Sequence, residues 1–277
     1  MTYRSMLVAL DATPANATRA DIAIALAKGF DAHLVGLAPT TFPQSQGLQA
    51  AAAMYDYVSR ASTDLLAQAQ DLAHHFHNRC QAAKLRSFEA LADKLPAAES
   101  LPAHAQCADL LVMSQPEPSS PGYRERLADL EQVLMRSARP ILLIPYVQRG
   151  PIATGRAMVA WDGGRESMRA MADALPLLRR AENVALMHWR NPSDDDRPLE
   201  RLGCLRRWLA FQGVDAEPRD EVTTLAVGDA LLNAASDGGV DLIVMGAYGH
   251  ARWTERLFGG VSRRLLESMT VPVLMSH

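Results

Sequence analysis

The sequence has little cysteine, no excess of charge and no long apolar run. Its three cysteines are Cys80, Cys107 and Cys204. They cannot all pair within one chain, and none forms a C-x-x-C. This argues against a disulfide framework and for a reducing, cytoplasmic setting. Charge is balanced, with 28 basic and 31 acidic residues and a net charge of −3. Divided at Gly150, the chain carries 13 basic and 14 acidic residues, then 15 and 17. Neither part has the basic footprint of a nucleic-acid binder. No apolar stretch approaches the roughly 20 residues that span a bilayer. The first such run, Met6 to Leu10, is broken by Asp11 and is too short for a secretory signal. Neither nucleic acid nor membrane is therefore expected as a partner.

The common catalytic signatures are also missing. There is no G-x-x-x-x-G-K-[ST], no G-x-G-x-x-G, no G-x-S-x-G and no H-E-x-x-H. No nucleophile-base set stands out, so an efficient enzyme is not expected. His74, His75, His77 and Cys80 resemble a metal cluster in one dimension only. At about 100° per residue, no helix face collects more than two of them, and a structural zinc site wants about four. His188 reads as a packed or hydrogen-bonded histidine. Asp194, Asp195 and Asp196 read as a solvated loop, because adjacent loop carboxylates lack the separation that acid-base chemistry needs.

What the chain does have is 48% apolar residues and an internal duplication. Leu7-Val-Ala-Leu-Asp11 parallels Met158-Val-Ala-Trp-Asp162. Asp109-Leu-Leu-Val-Met113 parallels Asp241-Leu-Ile-Val-Met245, and Arg139-Pro-Ile-Leu-Leu143 parallels Val271-Pro-Val-Leu-Met275 at the same offset. Repeats this long imply two copies of one domain, 1–148 and 152–277, meeting at the polar turn around Gln148 to Pro151. In the second copy, strands are expected at Ala157–Trp161, Asn183–Trp189, Ala216–Val222, Leu242–Met245 and Val271–Met275. Helices are expected at Glu166–Arg180, Leu199–Phe211, Gly228–Ser236 and Ser262–Ser268. Strand-helix alternation with apolar strands implies a mainly parallel sheet covered on both faces. Pro218 marks its strand as an edge or an irregular one. In the first copy, Met54, Val58, Ala61, Leu65, Ala69, Leu72, Phe76 and Cys80 form the apolar stripe of one long helix.

The segment Val240 to Ser262 carries the chemistry. A buried-type strand runs into Gly246-Ala-Tyr-Gly249, and Gly259-Gly-Val-Ser262 then opens a helix. Glycines between a strand and a helix let backbone N–H groups approach an anion, and the helix N-terminus adds partial positive charge. Arg252, Arg256, Arg263 and Arg264 flank the loop, as phosphate ligands or as solvated charges. Asp162 also stands at a strand end, as a turn-forming residue or as a site residue across the same crevice.

The glycine spacing after D-L-I-V-M-G, with Val159-Ala-Trp-Asp162, Met187-His-Trp189, Gly228-Asp229 and Val271-Pro-Val, resembles the universal stress protein family. The resemblance implies a tandem member built from two doubly wound, Rossmann-like domains of the adenine nucleotide alpha hydrolase type, each with a mainly parallel five-stranded sheet. It implies an adenine-nucleotide site in the second domain, for ATP or a relative accompanied by Mg²⁺. Asp162, Ala160 and Trp189 would lie beside the adenosine. Met245, Gly246 and Gly249 would border ribose and phosphates, and Gly259, Gly260, Val261 and Ser262 would hold the phosphates. Nucleotide-binding members often carry Ser or Thr where Gly260 stands. The missing hydroxyl costs roughly 1.5–3 kcal/mol, on the order of tenfold to hundredfold in affinity, with Ser262 as a partial stand-in.

In the first domain the same positions are Ser114, Glu117, Leu127, Ala128 and Leu130, so its cradle is lost and a structural role is expected. The resemblance further implies that Ile141–Tyr146 and Val271–Ser276 pair across a pseudo-two-fold, one chain imitating a dimer. It points to a stress-response protein with a regulatory nucleotide, a protein partner and an architecture that admits a homodimer of the tandem chain. The alternatives are a member that binds another small phosphorylated or apolar ligand, a scaffold, or a slow ATP hydrolase.

Overall fold

The computed structural model describes residues 2–40, 52–192, 199–249 and 260–277. The first half supplies strands β1 (Ser5–Ala9), β2 (His33–Pro39), β3 (Phe88–Asp93), β4 (Leu110–Ser114) and β5 (Ile141–Ile144). Between them lie helices α1 (Ala15–Phe30), α2 (Ala52–Ala82), α3 (Ala97–Ala105) and α4 (Tyr123–Arg136). The second half supplies β6 (Arg156–Ala160), β7 (Asn183–Arg190), β8 (Ala216–Val222), β9 (Leu242–Gly246) and β10 (Val273–Ser276). Its helices are α5 (Arg165–Asp173), α6 (Leu175–Leu178), α7 (Leu199–Phe211), α8 (Val227–Asp237) and α9 (Gly260–Ser268).

Among the described residues the strands join one sheet in the order β3-β2-β1-β4-β5-β10-β9-β6-β7-β8. Within each half every pairing is parallel. The halves meet where β5 and β10 pair antiparallel, with Val273 opposite Leu143 and Met275 opposite Ile141. The closing strands thus pair as expected, and both are fully apolar at the junction. A strand of that composition left at an exposed edge would be a template for association. Helices α1, α2, α5, α6 and α7 pack on one face, while α3, α4, α8 and α9 pack on the other. Each apolar layer runs through both halves, so the molecule has three layers rather than two separate sandwiches.

Two of the departures from the expected bounds share one cause. The helix expected over 166–180 is divided into α5 and α6, with Pro176 in the first turn of the second piece. Proline lacks an N–H and its ring displaces the carbonyl one turn earlier. The final strand begins at Val273, after Pro272 rather than before it. Pro218 lies in β8, which is an outer strand of the sheet. The long helix α2 buries Ala69, Phe76 and Cys80; Met54, Val58 and Ala61 are among residues whose side chains lie outside the description. Gly36 on β2 makes room for this helix, since a methyl group there would sit 2.3 Å from the Phe76 ring.

No helix among the described residues is long and apolar enough to cross a membrane. Nor do the described residues contain a His, Cys, Asp and Glu group suited to a metal ion. In the α2 cluster, His77 packs edge-on against Phe88 with ring centroids 5.1 Å apart. Cys80 is fully buried, and burial pushes its thiol up to about 11.

Candidate functional site

In the second half the chain goes from β6 outward to β7 and β8, then returns to the other side of β6 with β9 and β10. The connections leaving β6 and β9 therefore part in opposite directions and open a crevice at their carboxyl ends. Open parallel sheets bind ligands at such switch points. Asp162 follows β6 and Gly246 ends β9, so both stand at this crevice.

Asp162 begins a tight turn. Its Oδ1 accepts the Gly164 N–H at 2.8 Å and the Ser167 hydroxyl at 2.6 Å, which fixes the entry into α5. Its Oδ2 is turned toward the other loop: a methyl group on Gly249 would lie 3.3 Å from it. The same methyl would lie 3.2 Å from Glu166 Oε2. Glu166, on the first turn of α5, is 5% exposed and bonded to Arg165. Two carboxylates thus converge on Gly249, and sequence reasoning did not single out Glu166. The signal available was its place four residues after Asp162, on the turn that Asp162 caps.

Gly246 has a cause independent of any ligand. A methyl group there would meet the Ser167 N at 2.6 Å and the Glu166 carbonyl carbon at 2.7 Å. These are backbone atoms of α5, which cannot swing aside as a side chain would. The first turn of α5 lies directly on the end of β9, and only glycine permits that approach.

Ala160, Trp189, Met245 and Val261 come together on the face covered by α8 and α9. Ala160 pairs in register with both Met187 and Met245, so the ends of β9, β6 and β7 present a small apolar ledge. Trp189 is partly buried at the end of that ledge. Beyond it, His188 Nδ1 lies 3.0 Å from Asp220 Oδ1, its register partner on β8, and Arg190 donates to Asp220 Oδ2 at 2.9 Å. Burial raises the Asp220 carboxyl, but the hydrogen bonds and charges of His188 and Arg190 outweigh it and hold it below its usual range. His188 is thus a hydrogen-bonded residue beside Trp161, whose ring centroid is 5.6 Å away.

At the opening of α9, Gly260 is exposed and nothing lies within 4 Å of a methyl group placed on it. Ser262 is 3% exposed, and its hydroxyl oxygen accepts the Tyr248 N–H at 3.0 Å. It latches the loop after β9 onto α9 through that oxygen, which leaves the O–H itself as a donor. Tyr248 has φ +53, a left-handed conformation uncommon outside glycine. Its phenol is driven up, first by burial and then by the nearby Glu131 carboxylate of α4. The first half therefore reaches the loop of the second through Glu131. Arg263 pairs with Glu267 at 3.1 Å and Arg264 with Asp229 at 2.6 Å, so both flanking cations of α9 have intramolecular partners. Gly259, Arg252, Arg256 and Asp194 to Asp196 lie outside the described residues.

The matching place in the first half, between β1 and β4, is filled by the chain itself. Arg19 is 1% exposed, donates to the Ala9 carbonyl at 2.6 Å and pairs with Asp11 at 3.0 Å. Burial opposes ionisation of Asp11, yet Arg19 and the Thr13 hydrogen bonds keep its carboxyl below the usual range. Helix α4 begins at Tyr123 and buries Leu127 and Leu130, which stand where the second half has Gly259 and Ser262. Gln115 replaces Ala247, and its side-chain amide donates to the Leu266 carbonyl of α9 at 2.9 Å.

The model of the universal stress protein family matches residues 154–277. Among solved structures, the chain is similar to a universal stress protein from Archaeoglobus fulgidus DSM 4304. Identity is 15%, 98% of this chain and 97% of that one are covered, and the TM-score is 0.72. It is also similar to a functionally unknown protein from Pseudomonas aeruginosa PAO1, at 14% identity, with 99% and 92% covered and a TM-score of 0.57. At these identities the likeness concerns the fold alone. Both matches run nearly the whole length, which a tandem two-domain architecture fits. No curated protein matches the chain.

Proposed function

We propose that the second half, whose residues 154–277 match the model of the universal stress protein family, binds ATP or a related adenine nucleotide as a regulatory or sensing ligand. The observation that carries this reading is the meeting of Asp162, Gly249 and the first turn of α9 near the switch point between β6 and β9. The ledge of Ala160, Met245 and Trp189 offers an apolar surface for a base. Asp162 can accept from ribose hydroxyls, and the N–H groups of Gly260 and Val261 can meet phosphate oxygens. Two carboxylates beside Gly249 would repel a polyphosphate directly. This donor set suits a Mg²⁺ ion carried with the nucleotide, held by Asp162 and Glu166, where it would screen the phosphate charge.

One observation favours a second reading, a small ligand other than a nucleotide. Ser262 is almost fully buried, its oxygen accepting the Tyr248 N–H, and Gly260 has no hydroxyl, so phosphate finds no exposed side-chain hydroxyl at either position.

Calorimetric titration with ATP, with and without Mg²⁺, separates the two. A Gly260→Ser variant adds the missing hydroxyl into open space and is expected to tighten ATP binding by about tenfold or more. If neither protein takes up ATP, and mass spectrometry of the denatured protein releases a different small molecule, the second reading replaces the first.

A further inference from the structure

The seam between the halves has an internal two-fold axis. Leu142 of β5 lies opposite Leu274 of β10, and these two residues occupy the same place in the duplicated sequence. A contact from one half to the other therefore has a counterpart running the opposite way. Gln115, just after β4, donates its side-chain amide to the Leu266 carbonyl of α9 at 2.9 Å. In the duplication Gln115 corresponds to Ala247, and Leu266 to Leu134. The two-fold thus sets Ala247, just after β9, against Leu134 of α4, and both lie in one apolar layer. Tyr248 comes next in the chain, and Glu131 stands one turn before Leu134 on the same face of α4.

The side chains at this counterpart contact are polar. The Tyr248 phenol oxygen and Glu131 Oε1 are both buried, and neither completes a hydrogen bond in this arrangement. A buried donor and a buried acceptor left so are costly. Each can satisfy the other, since a phenol donates and an ionised carboxylate accepts. The Glu131 charge already favours the protonated phenol, the form that donates. The ordinary reason for Glu131 is to balance Arg263 across the seam. Arg263, however, is paired with Glu267 at 3.1 Å, and among the described residues Glu131 forms no ion pair. Glu131 corresponds in the duplication to Arg263 itself. Two second halves paired with each other would set an arginine, which has no acceptor, against the phenol. The acid comes only from the first half.

Tyr248 is also where the loop is set. Its neighbour Gly249 faces Asp162 and Glu166, and its own N–H is held by Ser262. Its backbone is left-handed, with φ +53, a conformation that a tyrosine keeps only where its surroundings hold it. We infer that Glu131 of the first half is a positioning residue for the ligand loop of the second, holding Tyr248 by its phenol and so fixing Gly249 at the crevice. The half that lost its own cradle thus serves the cradle of the other. The effect on ligand affinity rests on the nucleotide reading, whereas the effect on the loop does not.

Hydrogen-exchange mass spectrometry of the full chain reads the loop at residues 246–249, and calorimetry with ATP and Mg²⁺ reads the site. Glu131→Ala and Tyr248→Phe are each expected to speed exchange there and to weaken ATP binding by about tenfold, the weight of one hydrogen bond to a charged group. The double variant is expected to match either single one, because both remove the same bond. Glu131→Gln keeps an acceptor oxygen and is expected to restore most of the protection and affinity. Arg180→Ala cuts a different seam contact, to the Gly29 carbonyl, and is expected to leave both readings unchanged. Melting curves check that the variants fold. Additive effects, unchanged exchange in Glu131→Ala, or equal loosening by Arg180→Ala overturn the inference. So does ATP binding that ignores the changes at 131 and 248. If the wild-type chain takes up no ATP while the exchange pattern holds, the nucleotide reading fails and the tether stands.

Discussion

Asp220 shows how a single side chain can matter without touching a ligand. It is nearly buried and accepts from both His188 and Arg190, so removing its charge leaves two donors facing a neutral amide. Asp220→Asn is expected to cost about 1.5–3 kcal/mol at neutral pH, the range for hydrogen bonds to charged groups. The sign with pH follows from the lowered carboxyl. Its contribution is fully present above the unfolded value, about 3.9, and is lost as pH falls through the lower folded value. Urea midpoints of the two proteins should therefore differ at pH 7 and converge below about pH 4. A difference that persists undiminished at pH 3 would assign the effect to packing.

Gly246 and the α4–α9 pair show what whole elements decide. The closeness of β9 to α5 rests on the absence of one methyl group. Gly246→Ala should cost about 1–3 kcal/mol, the usual range for overpacking, and should move α5 with Asp162 and Glu166. Denaturant midpoints give the first effect, and hydrogen exchange across residues 162–170 gives the second. Unchanged stability and exchange would mean that α5 yields without strain. The strand-loop-helix units differ in the same currency: α4 buries Leu127 and Leu130, whereas α9 starts at Gly260. In the first copy those two leucines fill that end of the sheet.

For the molecule as a whole, β5 and β10 are the seam. Their side chains at the junction are almost fully buried, and the apolar layers continue across it. Additional ties are Gln115 to Leu266, Arg180 to the Gly29 carbonyl, and Tyr3 to the Asp173 carbonyl. We propose the division at 148 and 152 as a real domain boundary. Expressed alone, residues 152–277 should cover the β10 edge with a second copy of themselves, and size-exclusion chromatography with light scattering should report a dimer. Mixed with residues 1–148, they should form a one-to-one complex. A monodisperse, folded monomer of 152–277 would remove β10 from this role.

The sequence by itself determined the architecture, because apolar strands, proline and glycine act locally. Alternation set the parallel sheet, Pro218 marked an outer strand, and α7 and β8 begin and end where their patterns do. The loss of the first-half cradle was also legible, since Leu127 and Leu130 cannot be phosphate ligands. The tertiary structure decided what depends on neighbours distant in sequence. It put Glu166 beside Asp162 at Gly249, and gave Gly246 to the backbone of α5. It engaged Ser262 with the Tyr248 N–H and filled the first-half crevice with Arg19. The physical reason is that a residue's type limits which bonds it can make, while only packing decides which partner reaches it first.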